Sequence, residues 1–159
     1  MRSKLTIVSG GQTGVDRTAL DWAIEHGWPH SGYCPKGRIS EDGLIPKKYR
    51  LKETESTKYP TRTRLNVIHS DATLILSPLP LTGGTALTAK YARKEGKVLF
   101  TLSPGFGPRD LLAIKSFLAS QDSCILNVAG PRLSQWPDAR NFAMMALSQV
   151  FGLSPIFLE

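Results

Sequence analysis

The stretch that decides the fold is Leu5-Thr6-Ile7-Val8-Ser9-Gly10-Gly11-Gln12-Thr13-Gly14-Val15-Asp16-Arg17. Its first four residues are a short apolar, β-branched run, the pattern of a strand buried on both faces. The run breaks at the glycines. Beyond them Ala19, Leu20, Ala23 and Ile24 recur at helical spacing, which predicts a helix from Asp16 to His26 with Gly27 as its stop. Strand, glycine turn and helix in that order open a βαβ unit.

The alternation continues along the chain. Ser31–Cys34 reads as a short second strand, and Pro35–Arg50, rich in Gly, Pro and charge, as a long loop. Such a loop inside a compact domain is usually functional or disordered. A helix is predicted over Tyr59–Ser70 and the strongest strand over Ala72–Ser77. A second glycine turn, Leu81-Thr82-Gly83-Gly84-Thr85, leads into a helix over Ala86–Lys94, stopped by Gly96. Val98–Leu102 follows as a strand, then a helix over Arg109–Ser120, a fifth strand over Cys124–Val128, and a last helix over Asp138–Phe151 behind Pro137. Strands alternating with helices predict a mostly parallel sheet with helices on both faces, a Rossmann-like α/β architecture. The 159 residues fit one domain, 1–159.

In such a sheet, ligands bind at the carboxyl ends of the strands. Three predicted strands end in residues suited to anions. The first runs into Gly10, Gly11, Gln12, Thr13 and Gly14, the strand over Ala72–Ser77 into Thr82, Gly83, Gly84 and Thr85, and the fifth into Gly130, Pro131 and Arg132. Glycine lets the backbone approach a ligand, and the unpaired N–H groups of the helix that follows, with its dipole, attract negative charge. Thr13 and Thr85 add hydroxyls, and Arg132 adds a forked guanidinium. Asp16 and Arg17 open the first helix; Lys36 and Arg38 sit in the long loop and are read as closing over the ligand. The Gly10 loop does not match GxGxxG, and no P-loop lysine and serine follow it, so neither ordinary dinucleotide binding nor P-loop ATPase binding is supported.

Gly10-Gly11-Gln12-Thr13-Gly14-Val15-Asp16-Arg17 resembles the opening motif of the putative molybdenum carrier family. Cys34-Pro35-Lys36-Gly37-Arg38 with Glu41-Asp42-Gly43, Leu81-Thr82-Gly83-Gly84-Thr85 and Asn127-Val128-Ala129-Gly130-Pro131-Arg132 resemble further segments of it, in the same order. That family lies in a wider Rossmann-like group of nucleotide-binding proteins, which includes the lysine-decarboxylase-like phosphoribohydrolases that release cytokinins from their nucleotides. The resemblance implies a nucleotide-like or pterin-phosphate ligand on the rim, the molybdenum cofactor being the family's suggested one, and a homo-oligomer (dimer or tetramer). One departure matters. The phosphoribohydrolases carry a glutamate three residues after the threonine of their Pro-Gly-Gly-x-Gly-Thr loop; here that place is Thr88, and the first acid afterwards is Glu95. This favours binding or carriage over hydrolysis, so no catalytic residue is assigned; Asp16, Glu41, Asp42 and Asp71 are the carboxylates a hydrolase could draw on.

Composition narrows the partners. The net charge of +7 favours anions, but the basic residues are dispersed apart from Lys47-Lys48-Tyr49-Arg50 and the Arg62/Arg64 pair, and no nucleic-acid-binding signature accompanies them. A phosphorylated small molecule is therefore expected rather than nucleic acid. The two cysteines, Cys34 and Cys124, are too far apart for a metal motif and suit a reducing cytoplasm. No structural metal is expected, although Cys34 could offer molybdenum a soft sulfur. No apolar run reaches the roughly 18 residues of a membrane span, and the apolar stretch behind the basic start is too short for a signal-peptide core. Trp136, next to the Gly-Pro-Arg turn, could stack on a flat ring.

Overall fold

Short β-branched runs followed by glycine turns and amphipathic helices build one α/β domain. The computed structural model describes residues 4–153. They run in the order β1 (Lys4–Val8), α1 (Val15–Glu25), β2 (His30–Ser31), β3 (Tyr33–Cys34), β4 (Ile39–Ser40), β5 (Gly43–Leu44), β6 (Lys52–Glu53), α2 (Tyr59–Ile68), β7 (Ala72–Leu76), α3 (Gly83–Lys94), β8 (Val98–Leu102), α4 (Pro108–Ala119), β9 (Ser123–Ala129) and α5 (Ala139–Phe151).

Five strands form the central sheet in the order β2-β1-β9-β7-β8, every neighbouring pair parallel. Counted from β7 as the first strand, this is the doubly wound order 2-1-3-4-5 with the chain opened between its third and fourth strands. The topological switch point lies between β7 and β9. The chain leaves β7 through α3 toward β8, and after β8 it crosses back over β7 to β9. Helices α1, α4 and α5 pack together on one face, and α2 and α3 on the other.

The main core lies under α1 and α5. There Leu74, Leu76, Leu126 and Val128 meet Trp22, Ala143 and Leu147, all essentially without exposure. Side chains alternate along a strand, so Thr73 and Asn127, register partners in β7 and β9, turn to the opposite face; both are buried. No helix among the described residues is long and apolar enough to cross a membrane.

One expectation changes and another gains detail. The predicted strand over Ser31–Cys34 is split at Gly32, whose φ of 145° and whose position against Ser9, where a Cβ would stand 2.0 Å from the carbonyl oxygen, admit only glycine. β2 stays in the main sheet, whereas β3 turns away and pairs with β6. The long loop is also ordered. Its backbone forms the β4–β5 hairpin, and Leu20, Cys34, Ile45 and Tyr49 make a second small core beneath it. The Arg38 guanidinium ties the loop together by donating to the carbonyls of Pro46 (2.9 Å), Tyr49 (2.8 Å), Ile45 (3.3 Å) and Leu51 (3.3 Å).

Candidate functional site

A cleft of about 350 Å³ opens at the switch point, where β1, β7 and β9 end. Its sides come from the Gly10–Asp16 turn, the start of α2, the first turn of α3 and the turn after β9. This is where a doubly wound sheet places a ligand.

The first turn of α3 supplies free donors. The helix begins at Gly83, three residues before the expected Ala86, because the Thr82 carbonyl already accepts the Ala86 N–H at 3.1 Å. No side chain caps this end, its first turn holds no acidic residue, and among the described residues no acceptor meets the N–H of Gly83, Gly84 or Thr85. A Cβ placed on Gly83 or Gly84 would find nothing within 4 Å. The start of α1 is different. There the Gln12 N–H donates to Asp16 Oδ2 (3.3 Å), the Thr13 N–H to Gln12 Oε1 (3.0 Å) and the Val15 N–H to the Pro131 carbonyl (3.3 Å). Gly14 and Gly130 serve close packing, since a Cβ on them would stand 2.5 Å from Pro131 O and 2.2 Å from Leu76 O. The two glycine turns look alike in sequence, but only the second leaves its backbone open.

Polar side chains with unused atoms line the cleft. Gln12 is 5% exposed; its Oε1 accepts from Thr13 and from the Glu41 N–H (3.0 Å), so its Nε2 is the end left over. Asn127 spends Nδ2 on Thr73 Oγ1 (3.3 Å), and Thr85 Oγ1 has no partner among the described residues. Arg62, 8% exposed, donates through Nη1 to the Gly10 carbonyl at 2.7 Å and lies over the Tyr59 ring. Asp16 is 7% exposed, and no cation comes within ion-pair distance of it among the described residues. Burial pushes its carboxyl up to about 6, although the Arg62 charge, the Gln12 N–H, the Ser9 hydroxyl and the Arg17 charge all pull the other way.

Behind the cleft, Glu41 joins three segments. It accepts from Thr13 Oγ1 and from the hydroxyl and N–H of Ser134, and it stands 3.5 Å from Arg132 Nε, an ion pair too poorly aligned for a hydrogen bond. Burial opposes its charge, but these hydrogen bonds outweigh that and hold the carboxyl below its usual range. Thr13 Oγ1 also accepts the Leu133 N–H at 3.1 Å, which fixes the turn that carries Arg132.

Of the residues expected at the site, Gly10, Gln12, Asp16, Gly83, Gly84, Thr85, Gly130 and Arg132 line the cleft. The others stand outside it. Gly11 packs on Leu51 and Ile45, Gly14 on Pro131, and Thr13 on Glu41. Thr82 is the residue before the helix, and Lys36 is exposed with its N–H on the Ser56 carbonyl. Arg17 is engaged by Asp42, Ser40 and the Gly11 carbonyl, and its hydrogen bonds, with that of Ser40, hold the Asp42 carboxyl down at about 2. Arg38 holds the long loop. Cys34 is wholly buried, and burial pushes its thiol up. Trp136 packs on Phe142 in the core, and Asp71 accepts the Ile125 N–H at 2.7 Å. Among the described residues no group of three or more His, Cys, Asp and Glu is placed to hold a metal ion.

The cleft also holds Tyr59, Arg62, Asn127 and Gln135, which the sequence does not mark for it. Arg62 carried a faint signal as half of a basic pair with Arg64, which instead meets Glu95 at 3.4 Å. Asn127 stood inside a recognisable segment, but nothing in a strand's sequence says which face a polar residue serves.

Residues 7–151 match the circularly permutated YpsA SLOG family. The fold is similar to that of a crystal structure named "putative molybdenum carrier protein" from Syntrophus aciditrophicus SB, with 38% sequence identity and a TM-score of 0.87, over 94% of this chain and 95% of that one. No curated protein sequence matches. The opened strand order agrees with the family's description, the match spans nearly all the described residues, and the chain belongs to the circularly permutated YpsA SLOG family.

Proposed function

We propose that the chain is a binding or carrier protein for a phosphorylated heterocycle held at the switch point. The observation that carries this reading is the first turn of α3. Its Gly83, Gly84 and Thr85 N–H groups lack acceptors among the described residues and belong to residues that line the same cleft as the buried Gln12, Asp16 and Asn127. The phosphate takes the N–H groups and the positive end of the helix dipole. Arg132 and Arg62 balance its charge, and Tyr59 and Leu87 supply apolar wall for the ring. The solved relative's name suggests the molybdenum cofactor, a pterin that carries a phosphate. The residues present fit that phosphate and ring, and the protein's hold would be on the organic part. A mononucleotide offers the same two features.

Calorimetric titration with GMP, AMP, a pterin monophosphate and inorganic phosphate tests the reading. Saturable binding of a phosphorylated ring, weakened by Arg132→Ala, is expected; no binding of any of them overturns it. Mass spectrometry and metal analysis of what the gently purified protein releases on denaturation would identify the resident ligand. The homo-oligomer implied by the resemblance is tested by light scattering on the eluting protein. Placement in the cytoplasm rests on the two unpaired cysteines and is tested by cell fractionation.

Asp16 favours a second reading, cleavage of the glycosidic bond of a nucleoside monophosphate, because it is a buried carboxyl in the cleft with its pKa raised. Thr88, where the phosphoribohydrolases carry glutamate, lines the cleft but gives its hydroxyl to the Gly84 carbonyl at 2.9 Å. Release of free base from nucleoside monophosphates, lost in Asp16→Asn, would establish this reading; intact substrates would remove it.

A further inference from the structure

The phosphate grip accounts for one end of the cleft; the Gln12–Asp16 turn presents a different pattern. Gln12 is fixed as to which end faces the ligand. Both of its observed hydrogen bonds run from backbone N–H donors, Thr13 and Glu41, into Oε1, so the amide must offer its NH2 to the cleft. One helical turn on, Asp16 offers only acceptors when ionised. No cation pairs with it directly among the described residues: Arg62 Nη1 is on the Gly10 carbonyl and Arg17 is engaged by Asp42, so their charges act on it only from a distance. A carboxylate that is 7% exposed, has no direct ion pair among the described residues and lines the cleft is completed by a ligand that brings a pair of N–H donors.

We infer that the Gln12–Asp16 turn reads the edge of a 2-amino-4-oxopyrimidine ring, with Asp16 accepting the ring N–H and the exocyclic amine while the Gln12 NH2 donates to the neighbouring carbonyl. That donor–donor–acceptor edge is common to guanine and to pterins, so one turn would serve a guanine nucleotide or a pterin phosphate. Adenine presents an acceptor where Asp16 needs a donor, and hypoxanthine lacks the amine. Two N–H donors favour the charged carboxylate, which offsets the burial that holds Asp16 up at about 6.

The inference rests on the phosphate-binding reading, and one titration series separates the two. GMP, IMP, AMP, a pterin monophosphate and inorganic phosphate are titrated into the wild-type protein and into Asp16→Asn, with folding of the variant checked by circular dichroism. GMP and the pterin phosphate are expected to bind at least about tenfold tighter than IMP and AMP, since a site built to pair a donor rejects the analogue lacking it. Asp16→Asn is expected to bring GMP down to the IMP level and leave AMP unchanged. Equal affinities for GMP, IMP and AMP, or an equal loss of all three in Asp16→Asn, overturn the inference while the phosphate reading stands. Absence of binding to every probe overturns both. The GMP-to-IMP ratio on wild type needs no variant, so the test survives a misfolded Asp16→Asn. Tighter binding of GMP or of the pterin phosphate then tells which source of the shared edge the cleft prefers.

Discussion

Asp16→Asn should make the free protein more stable at alkaline pH while harming ligand recognition. Burial raises the Asp16 carboxyl from its usual 3.8 to about 6. One pH unit corresponds to about 1.36 kcal/mol, so keeping this carboxylate charged in the folded state at high pH costs roughly 3 kcal/mol. The sign follows from proton binding. The folded protein holds this proton more tightly than the unfolded chain, so the wild type loses stability as pH rises from about 4 to 6, and the loss is complete above that range. Asparagine removes the charge but weakens the bond from the Gln12 N–H by about 1 kcal/mol, leaving a net gain of about 2 kcal/mol. For a domain of this size that raises Tm by roughly 4–8 °C. Urea unfolding of both proteins across the acid and alkaline range, without ligand, gives the difference free of every other titrating group. The expected curve shows the variant ahead at alkaline pH and the gap closing through the window from about 6 to 4. A variant less stable than wild type at alkaline pH, or a gap that ignores pH, would refute the claim that burial outweighs the charges and donors around Asp16.

Three further predictions bear on the site and its support. Gly84→Ala should stabilise α3 by up to about 0.5–1 kcal/mol, because a Cβ there meets nothing within 4 Å, yet weaken phosphate binding by crowding the open turn; thermal melts and calorimetry on the same preparation would show the two effects moving oppositely. Glu41→Gln should cost about 1 kcal/mol near neutral pH through weaker hydrogen bonds to Thr13 and Ser134. Since the Glu41 carboxyl is held below its usual 4.5, that stability is present above the unfolded value and is lost as pH falls through the folded one, so the variant and wild type should converge in acid, as read by denaturant unfolding. Arg38→Lys should cost about 2 kcal/mol and expose the 35–53 segment to limited trypsin digestion, because an ammonium cannot reach four carbonyls at once.

The elements were legible because the sequence writes them in local terms. Leu5–Val8, Ala72–Leu76 and Val98–Leu102 are apolar runs broken only by one threonine each, with glycine or proline two residues beyond, and the structure places strands there within a residue. The sheet order was not legible, because it depends on which strands meet at long range: β1 lies beside β9, which begins more than a hundred residues later. Site residues divide on the same line. Gly83 and Gly84 are readable as a turn into a helix. That Arg17 would be engaged by Asp42, and Arg38 by four carbonyls of its own loop, depends on partners brought in by the fold. A charged loop residue reads the same in sequence whether it faces a ligand or holds the backbone, and here the long loop needed both arginines for itself.

The sheet order explains why the two glycine turns could look equivalent and yet differ. In a doubly wound sheet the cleft belongs to the switch point, a property of strand neighbours and not of chain order. Opening the chain between its third and fourth strands moved β1 to the front of the sequence without moving it in the sheet, so its turn still borders the cleft from beyond β9. From that side, the start of α1 packs against the turn after β9, and the Pro131 carbonyl and the Asp16 and Gln12 side chains occupy its N–H groups. The start of α3 lies on the other flank of the switch point with no such neighbour, and its N–H groups stay open. The first turn therefore contributes side chains to the cleft and the second contributes backbone, which on the proposed reading divides the work into recognition of a ring edge on one flank and neutralisation of a phosphate on the other.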